Sequence, residues 1–541
     1  MTPKQPEHGA VSKLNHAVTG IDALTIFTFL WSNIAVLQCV KQFHSLKQRA
    51  PTAVSLPDTF LFFLLAASII YSATQPHRSL ALVFLCFSHI ISLVYFGSQS
   101  NHVIMAIVIA SAVLIDYSSD RIIWQKRLSG TTYMIMVILY LVSFTHKLNE
   151  DWFNHTISCA SLFASGFLSM WISLPTDLNT SFSYQFADLI IRTAPKQAVT
   201  IEIALPTLLI LWRISTKKIS STIFSIMIIT GALFHLIICL PLPPLSVYPF
   251  SMVMVPMYVL MLPSESIQRI KSMISNTVLT TGLIAIFAVL VKAVVKLILK
   301  GEEMPLEYPA YGLWTTAVVW NIIVWVIIVY AALSIKPSRT SEFPSFIFRS
   351  KGVLVALFLG FIGICPYLGI RNYPALAMFS NLRTEGSSPN HIVLPPMGIL
   401  GYQYDTVHVQ STNLKSLQDY QVNLALYFSD HTKKFNTAFG ITNEFWITPP
   451  SWSPPDARSV QFVPFSIPVL ELRKHISNQV AQDFYVNFTM GGDPHSVSHV
   501  FYSSDPGSYD QYGHLTVPVN WVQRVLFRFR SFDSNRSPCR H

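Results

Sequence analysis

The sequence predicts a polytopic α-helical membrane bundle of about eleven spans, followed by a small β-rich domain outside the bilayer. Three observations carry that prediction. Charge is scarce: 12% of the 541 residues are charged and 51% are hydrophobic, against about 25% charged in soluble domains. Apolar runs of roughly 15–25 residues, the length that crosses a bilayer as helix, recur as far as residue 370. Beyond that point the chain turns polar, rich in Pro, Ser, Asp and Asn, with short alternating stretches.

The first 20 residues are polar and read as a cytoplasmic tail without a cleavable signal pattern. Spans then fall near 21–40, 56–74, 79–97, 102–116, 131–145, 198–213, 220–242, 247–262, 277–299, 309–334 and 352–370. The run 158–173 is short, and fits an interfacial or re-entrant segment better than a crossing. The domain from 21 to 370 is therefore the membrane bundle. Residues 371–541 form the β-rich domain, with strands expected over Thr406–Gln410, Tyr420–Tyr427, Phe484–Thr489 and Val525–Arg530.

Net charge is +10, from 37 Lys and Arg against 27 Asp and Glu. The basic residues sit in short loops between apolar runs, the placement the positive-inside rule produces with only Lys41, Lys47 and Arg49 breaking it, so a nucleic-acid partner is not expected. With the N-terminus in the cytoplasm, the loops holding Arg78, Arg121, Arg213, Arg269 and Lys336 all fall inside. The sequons at Asn154, Asn179 and Asn487 then fall outside, where a secretory membrane would glycosylate them. That side is the endoplasmic reticulum lumen or the cell exterior. The six cysteines are scattered without a CxxC or metal spacing, and read as reduced, packed side chains. No metal site is expected.

Charge gathers at one place, Thr145-His-Lys147-Leu-Asn-Glu-Asp-Trp152, where the fifth span ends. His102 starts the fourth span at the same expected membrane level. A lysine walled by apolar groups is easily held uncharged and can act as a base. The plainer alternative pairs Lys147 with Glu150 or Asp151 and leaves His102 as a helix cap. His235 lies inside the seventh span, where ionisable groups face the bundle interior, and a backbone carbonyl would satisfy its ring. Glu202 stands near the start of the sixth span, so a solvated rim position is expected. Lys292, Lys296 and Lys300 form a stripe fit for snorkelling to headgroups or holding an anionic lipid. Asn381, Arg383 and Glu385 follow the last span, where an arginine–glutamate pair would tie the linker to the β domain. No phosphate loop, nucleophile elbow or HExxH occurs.

At these residues the chain resembles the horizontally transferred transmembrane (HTTM) domain family, which includes the vitamin K-dependent gamma-carboxylases. Lys147-Leu-Asn-Glu-Asp-Trp152 is similar to the carboxylase Lys-Leu-Asp-Ala-Asp-Trp, whose lysine is the catalytic base. Ser100-Asn101-His102 is similar to Asn-Asn-His, whose histidine assists carboxylation. Phe234-His235, then Phe250-Ser251-Met252 and Val255-Pro256-Met257-Tyr258, look like the later Tyr-His … Ile-Gly-Met-Phe region. Met378 to Glu385 looks like the junction after the last span. The resemblance covers roughly residues 15–400.

What the resemblance implies is a lyase and epoxidase that uses vitamin K hydroquinone, or another isoprenoid quinone, with O2 and CO2. Lys147 would be its base and His102 its partner, supported by Asn101, Trp152, His235, Asn381 and Arg383. The chain departs from the family in three places. Asn381 replaces a histidine, His146-Lys147 replaces paired lysines, and the C-terminal domain is much shorter. The alternative is a non-catalytic membrane protein that binds or moves a lipid or quinone and recruits a protein partner through the β domain. A transporter would need polar residues midway along several spans, and only His235 fits that clearly.

Overall fold

A computed structural model describes residues 22–49, 56–95, 100–173, 182–241, 245–274, 307–333, 351–532 and 539–540. Within the seventh range, 378, 387–388, 400, 419, 421, 424–428, 444, 448–461, 463, 478–482 and 492–496 are not described. The expected ninth span, with Lys292, Lys296 and Lys300, lies outside the described residues, as does Asn179.

Thirteen helices are described before residue 370: α1 (Ala23–Arg49), α2 (Leu56–Thr74), α3 (Ser79–Tyr95), α4 (Asn101–Ile115), α5 (Arg121–His146), α6 (Glu150–Phe153), α7 (Cys159–Leu168), α8 (Phe182–Ile214), α9 (Lys217–Cys239), α10 (Tyr248–Val259), α11 (Ser264–Ile274), α12 (Glu307–Leu333) and α13 (Gly352–Leu368). Four of them are long and apolar enough to cross a membrane. The bent pair α10–α11 makes a fifth if it is one span. Shorter apolar helices of 10–17 residues fill out the bundle, including α7, which occupies the expected short segment. Leu, Ile, Val and Phe side chains from most of these helices form a large core, α7 packs in a second cluster with Trp152 and Ile191, and Phe60, Phe63, Leu233, Val326 and Phe358 remain on the outside. Apolar groups on both faces of a helix fit a lipid surround.

Some of the polar groups buried in this bundle join one helix to another. Ser32 Oγ lies 2.9 Å from Ser72 Oγ, linking α1 to α2. Ser88 Oγ donates to Ser68 Oγ at 2.7 Å, linking α3 to α2. Buried hydroxyl pairs of this kind hold helices together where apolar burial alone gives no preference. At one end of the bundle Arg121 pairs with Asp22. There Asp116 accepts from Thr131 Oγ1 at 2.6 Å and from the Gly352 N–H. A Cβ at Gly352 would meet the Asp116 carboxylate at 2.3 Å, so only glycine lets α13 begin there.

The C-terminal region packs against the opposite end. Its main sheet is antiparallel, in the order β4–β1–β5–β6: β1 (Thr406–Thr412), β4 (Phe465–Pro468), β5 (Tyr485–Met490) and β6 (Ser498–Tyr502). Val407 faces Ile467 on one side and Met490 on the other. Alternate residues Val407, Val409, Val486 and Phe488 enter one core. A second sheet joins β2 (Val422–Asn423), β3 (Phe445–Ile447) and β7 (Cys539–Arg540).

Two of the expected strands are present as β1 and β5, and β2 falls within a third. The fourth is corrected: after helices α14 (Lys415–Gln418), α15 (Asp430–Ala438), α16 (Val469–Ser477) and α17 (Pro506–Thr516), Val525 and Leu526 close helix α18 (Trp521–Leu526), and the chain after it is irregular. Asn520 accepts from the Gln523 N–H while the Gln523 side chain returns to the Asn520 N–H. That reciprocal cap starts a helix which the alternation of Val525-Leu-Phe-Arg-Phe-Arg concealed.

A second correction concerns the cysteines. Cys159 and Cys539 form a disulfide across 380 residues, joining α7 to β7. Cys86, Cys239 and Cys365 are free and buried, as expected.

Candidate functional site

Tyr140, Ser143 and Lys147 are spaced by three and four residues, which places them along one stripe of α5. Lys147 ends that helix as its capping residue. Helix α8 crosses beside it, interrupted by Pro195 and Pro206. Each proline lacks an N–H and so frees the carbonyl four residues earlier. The carbonyl freed by Pro195 is that of Ile191, and Ser161 Oγ on α7 donates to it at 2.9 Å. The one freed by Pro206 belongs to Glu202.

Lys147 Nζ donates to Glu202 Oε1 and to Ser143 Oγ, both at 2.9 Å. Ser143 Oγ donates to the same carboxylate oxygen, also at 2.9 Å. The two charged side chains are only 8% and 5% exposed. The amine stands 5.2 Å from the centre of the Trp152 ring, within reach of its π face. Trp152 is held by Asn149, whose Oδ1 caps its N–H at 2.8 Å, and by its indole N–H on the Pro195 carbonyl at 3.0 Å. Glu202 Oε2 is buried and has no hydrogen-bond partner.

Both simple expectations for these two residues are therefore corrected. Lys147 pairs with neither Glu150 nor Asp151, since Asp151 takes its hydrogen bond from Asn390 Nδ2 at 2.7 Å. Glu202 is 4% exposed and no rim residue.

His102 is half-buried, with ring nitrogens 3.0 Å from Ser100 Oγ. Its neighbour Asn101 is buried, and its Oδ1 accepts from the Leu376 N–H at 2.8 Å. The amine's partners are Ser143, Glu202 and Trp152, and the imidazole meets the Ser100 hydroxyl in its own turn.

The segment after α13 is strained and tied. Leu376, Phe379 and Asn381 all take left-handed φ of 52–61°, a conformation asparagine adopts readily but leucine and phenylalanine hold only when their surroundings impose it. Asn101 imposes it at Leu376. At Asn381 the side chain spans two backbone groups, accepting from the Cys159 N–H at 2.9 Å and donating to the Ile157 carbonyl at 3.0 Å. Arg383 is buried, and its backbone N–H bonds Asn390 Oδ1 at 2.8 Å. Glu385 takes donors from Asn372 and from the Thr384 N–H. Its charge also acts on Arg530, whose guanidinium burial holds below its ordinary value. The linker is thus fastened mainly through asparagines. His391, also in this segment, donates from Nε2 to the Thr145 carbonyl and accepts the Val393 and Leu394 N–H groups at Nδ1. Burial lowers its proton affinity, which suits that neutral tautomer.

Deeper in the bundle, Tyr140 OH lies 2.8 Å from His235 Nε2 and 3.0 Å from Tyr258 OH. The expected carbonyl partner of His235 is replaced by this hydroxyl. The imidazole stacks on Trp325 with ring centres 5.7 Å apart. Gly231 makes room: a Cβ there would lie 2.4 Å from the Tyr258 hydroxyl. Tyr140 belongs to the stripe of Ser143 and Lys147, so α5 carries both polar clusters. No group of three or more His, Cys, Asp or Glu that could hold a metal is found among the described residues.

Of the sequons, Asn154 is exposed and accepts from the Thr156 N–H and hydroxyl. Asn487 lies half-buried in β5, paired with β1 and β6 on either side. Sequence reasoning missed the site roles of Ser143, Tyr140, Tyr258 and Glu202. For the first two, the helical spacing from Lys147 was the available signal. For Glu202 it was a carboxylate set between two prolines in an apolar run.

The chain matches no protein-family model, no curated protein and no solved structure.

Proposed function

We propose that the protein is a multi-pass membrane enzyme of carboxylase-like HTTM type, which removes a proton from the hydroxyl of an isoprenoid quinol at the Lys147 site. One observation carries this reading: a lysine and a glutamate are sealed together inside the helical bundle. An ion pair there is expensive to bury and can often be replaced by apolar residues without loss of stability, so stability is a weak reason for keeping it. Chemistry is a better one.

The residues present fit a quinol. Glu202 Oε2 is a buried acceptor without a donor, Trp152 offers an aromatic face, and the surrounding helices offer apolar walls for an isoprenoid tail. Lys147, Glu202, Ser143 and Trp152 would hold its ring. When bound, the quinol would supply the acidic hydroxyl and the reduced ring that reacts with O2, with CO2 captured by an acidic acceptor. The chain's own residues orient the ring, exclude water and hold the proton. In this reading the bundle has about eleven spans. The N-terminus is cytoplasmic, and the C-terminal domain lies outside, where it meets a protein partner or substrate. The Cys159–Cys539 disulfide and the exposed Asn154 sequon, at the same end as that domain, support an oxidising, glycosylating compartment.

The test is hydroquinone epoxidation by purified protein, wild type against Lys147→Ala and His102→Ala. Activity in wild type, abolished by Lys147→Ala and reduced by His102→Ala, is expected. Equal inactivity of all three with several quinols would leave the second reading, a non-catalytic binder or carrier of a lipid or quinone. That reading is favoured by the lysine being already neutralised by Glu202 and by the structural use of Asn381.

A further inference from the structure

The Lys147 ammonium cannot accept a proton while it carries its own, and its nearest acceptor, Glu202 Oε1, already takes two hydrogen bonds. The same carboxylate keeps its other oxygen bare. A buried carboxylate oxygen without a donor loses its hydration with nothing in exchange, at a cost of about 1–3 kcal/mol or more. A ligand hydroxyl that donated to Oε2 would remove that cost. We propose that Glu202 is the base of this site and Lys147 the cation that holds the charge left on the ligand oxygen; the ligand class is a membrane-soluble ring bearing an acidic hydroxyl. This rests on the quinol-type reading above and reassigns the proton within it.

The step balances without a further reactant. The ligand O–H bond breaks, and an O–H bond forms to Glu202 Oε2. Lys147 keeps its three protons throughout. Its attraction passes from a carboxylate that has become neutral to the oxygen that has become charged, so the net charge of the site is unchanged. That conservation matters in a low-dielectric interior, where creating a new net charge is costly. Ser143 moves with the exchange, because its hydroxyl bridges the amine and Oε1. Pro206 also leaves the Glu202 carbonyl without its ladder donor, a further backbone dipole on the same residue.

The experiment uses full-length protein in lipid nanodiscs with 1,4-naphthalenediol as probe and 1,4-dimethoxynaphthalene, which cannot donate, as control. Both are titrated by quenching of tryptophan fluorescence, and the diol complex is recorded by infrared difference spectroscopy. Wild type should prefer the diol by ~10-fold or more, since a buried acceptor discriminates strongly against a ligand that cannot donate to it. Diol binding should create the C=O stretch of a protonated carboxyl group. E202Q should lose that band and most of the preference, E202D should regain part of both, and K147R should keep the band. E202D and K147R decide the matter if E202Q fails to fold. Tight diol binding without the carboxyl band, or an E202Q protein with undiminished preference, would overturn the assignment and return the base to Lys147. Failure of wild type to bind either naphthalene would remove the quinol reading itself.

Discussion

Among the described residues two lysine–glutamate pairs are buried, and they are built in different ways. Glu471 and Lys474 sit three residues apart on one helix, α16 (Val469–Ser477), in the C-terminal region. Lys474 donates to Glu471 at 2.8 Å and also to the Phe527 carbonyl, and Glu471 accepts the Phe529 N–H as well. Neither residue leaves a buried polar atom without a partner. Lys147 and Glu202 come from different helices, and one carboxylate oxygen is left bare. The first pair is tied into its own backbone at Phe527 and Phe529, which is what an anchor needs. The second keeps a valence open, which is what a site needs.

That contrast can be broken by substitution. The largest effect is expected from Glu202→Leu, which strands a buried ammonium and should cost about 3–5 kcal/mol in thermal unfolding of the solubilised protein. Lys147→Met/Glu202→Leu should recover most of it, showing that the pair is not kept for stability. Cys539→Ser should cost about 2–4 kcal/mol by removing the covalent tie between α7 and β7. Glu471→Leu should cost about 1–3 kcal/mol through the donors it leaves unmet. No apolar double substitution on α16 should rescue that loss, because the Phe529 N–H would still lack its acceptor. The smallest effect, about 1 kcal/mol, is expected for Asn520→Ala, which uncaps α18.

Acid sharpens the comparison further. His475, beside the Glu471–Lys474 pair and edge-on to Tyr420, is pushed down to about 4, by burial first and by the Lys474 charge after it, against the pull of Glu471. The unfolded chain then binds the proton before the folded one does. Its contribution is fully present above about pH 6.5 and is lost as the pH falls toward about 4. Thermal unfolding of the C-terminal region across that window should show the loss, and His475→Phe should flatten it.

Sequence reasoning reached what is written locally. Apolar length marked the helices of the bundle, and two-residue alternation marked β1 and β5. Alternation misled at Val525–Arg530 because a cap at Asn520 and Gln523 outweighs a pattern of four or five side chains. Lys147 stood out by its crowded charge, yet its partner could not be read. Glu202 is 55 residues away on another helix, and nothing in a single sequence says which helices are neighbours. The Cys159–Cys539 bond was hidden for the same reason, with 380 residues between its ends.

The contact between α5 and α8 also works as a ruler. A slip of one helix along the other by a single turn, about 5.4 Å, would part the ammonium from its carboxylate and leave each facing hydrocarbon. Apolar side chains would tolerate such sliding, because one leucine face resembles the next. The charged contact tolerates only one alignment, so it fixes the depth at which these two helices meet. Everything hung from them inherits that setting: the Trp152 turn, the start of α7 and the strained linker beyond α13.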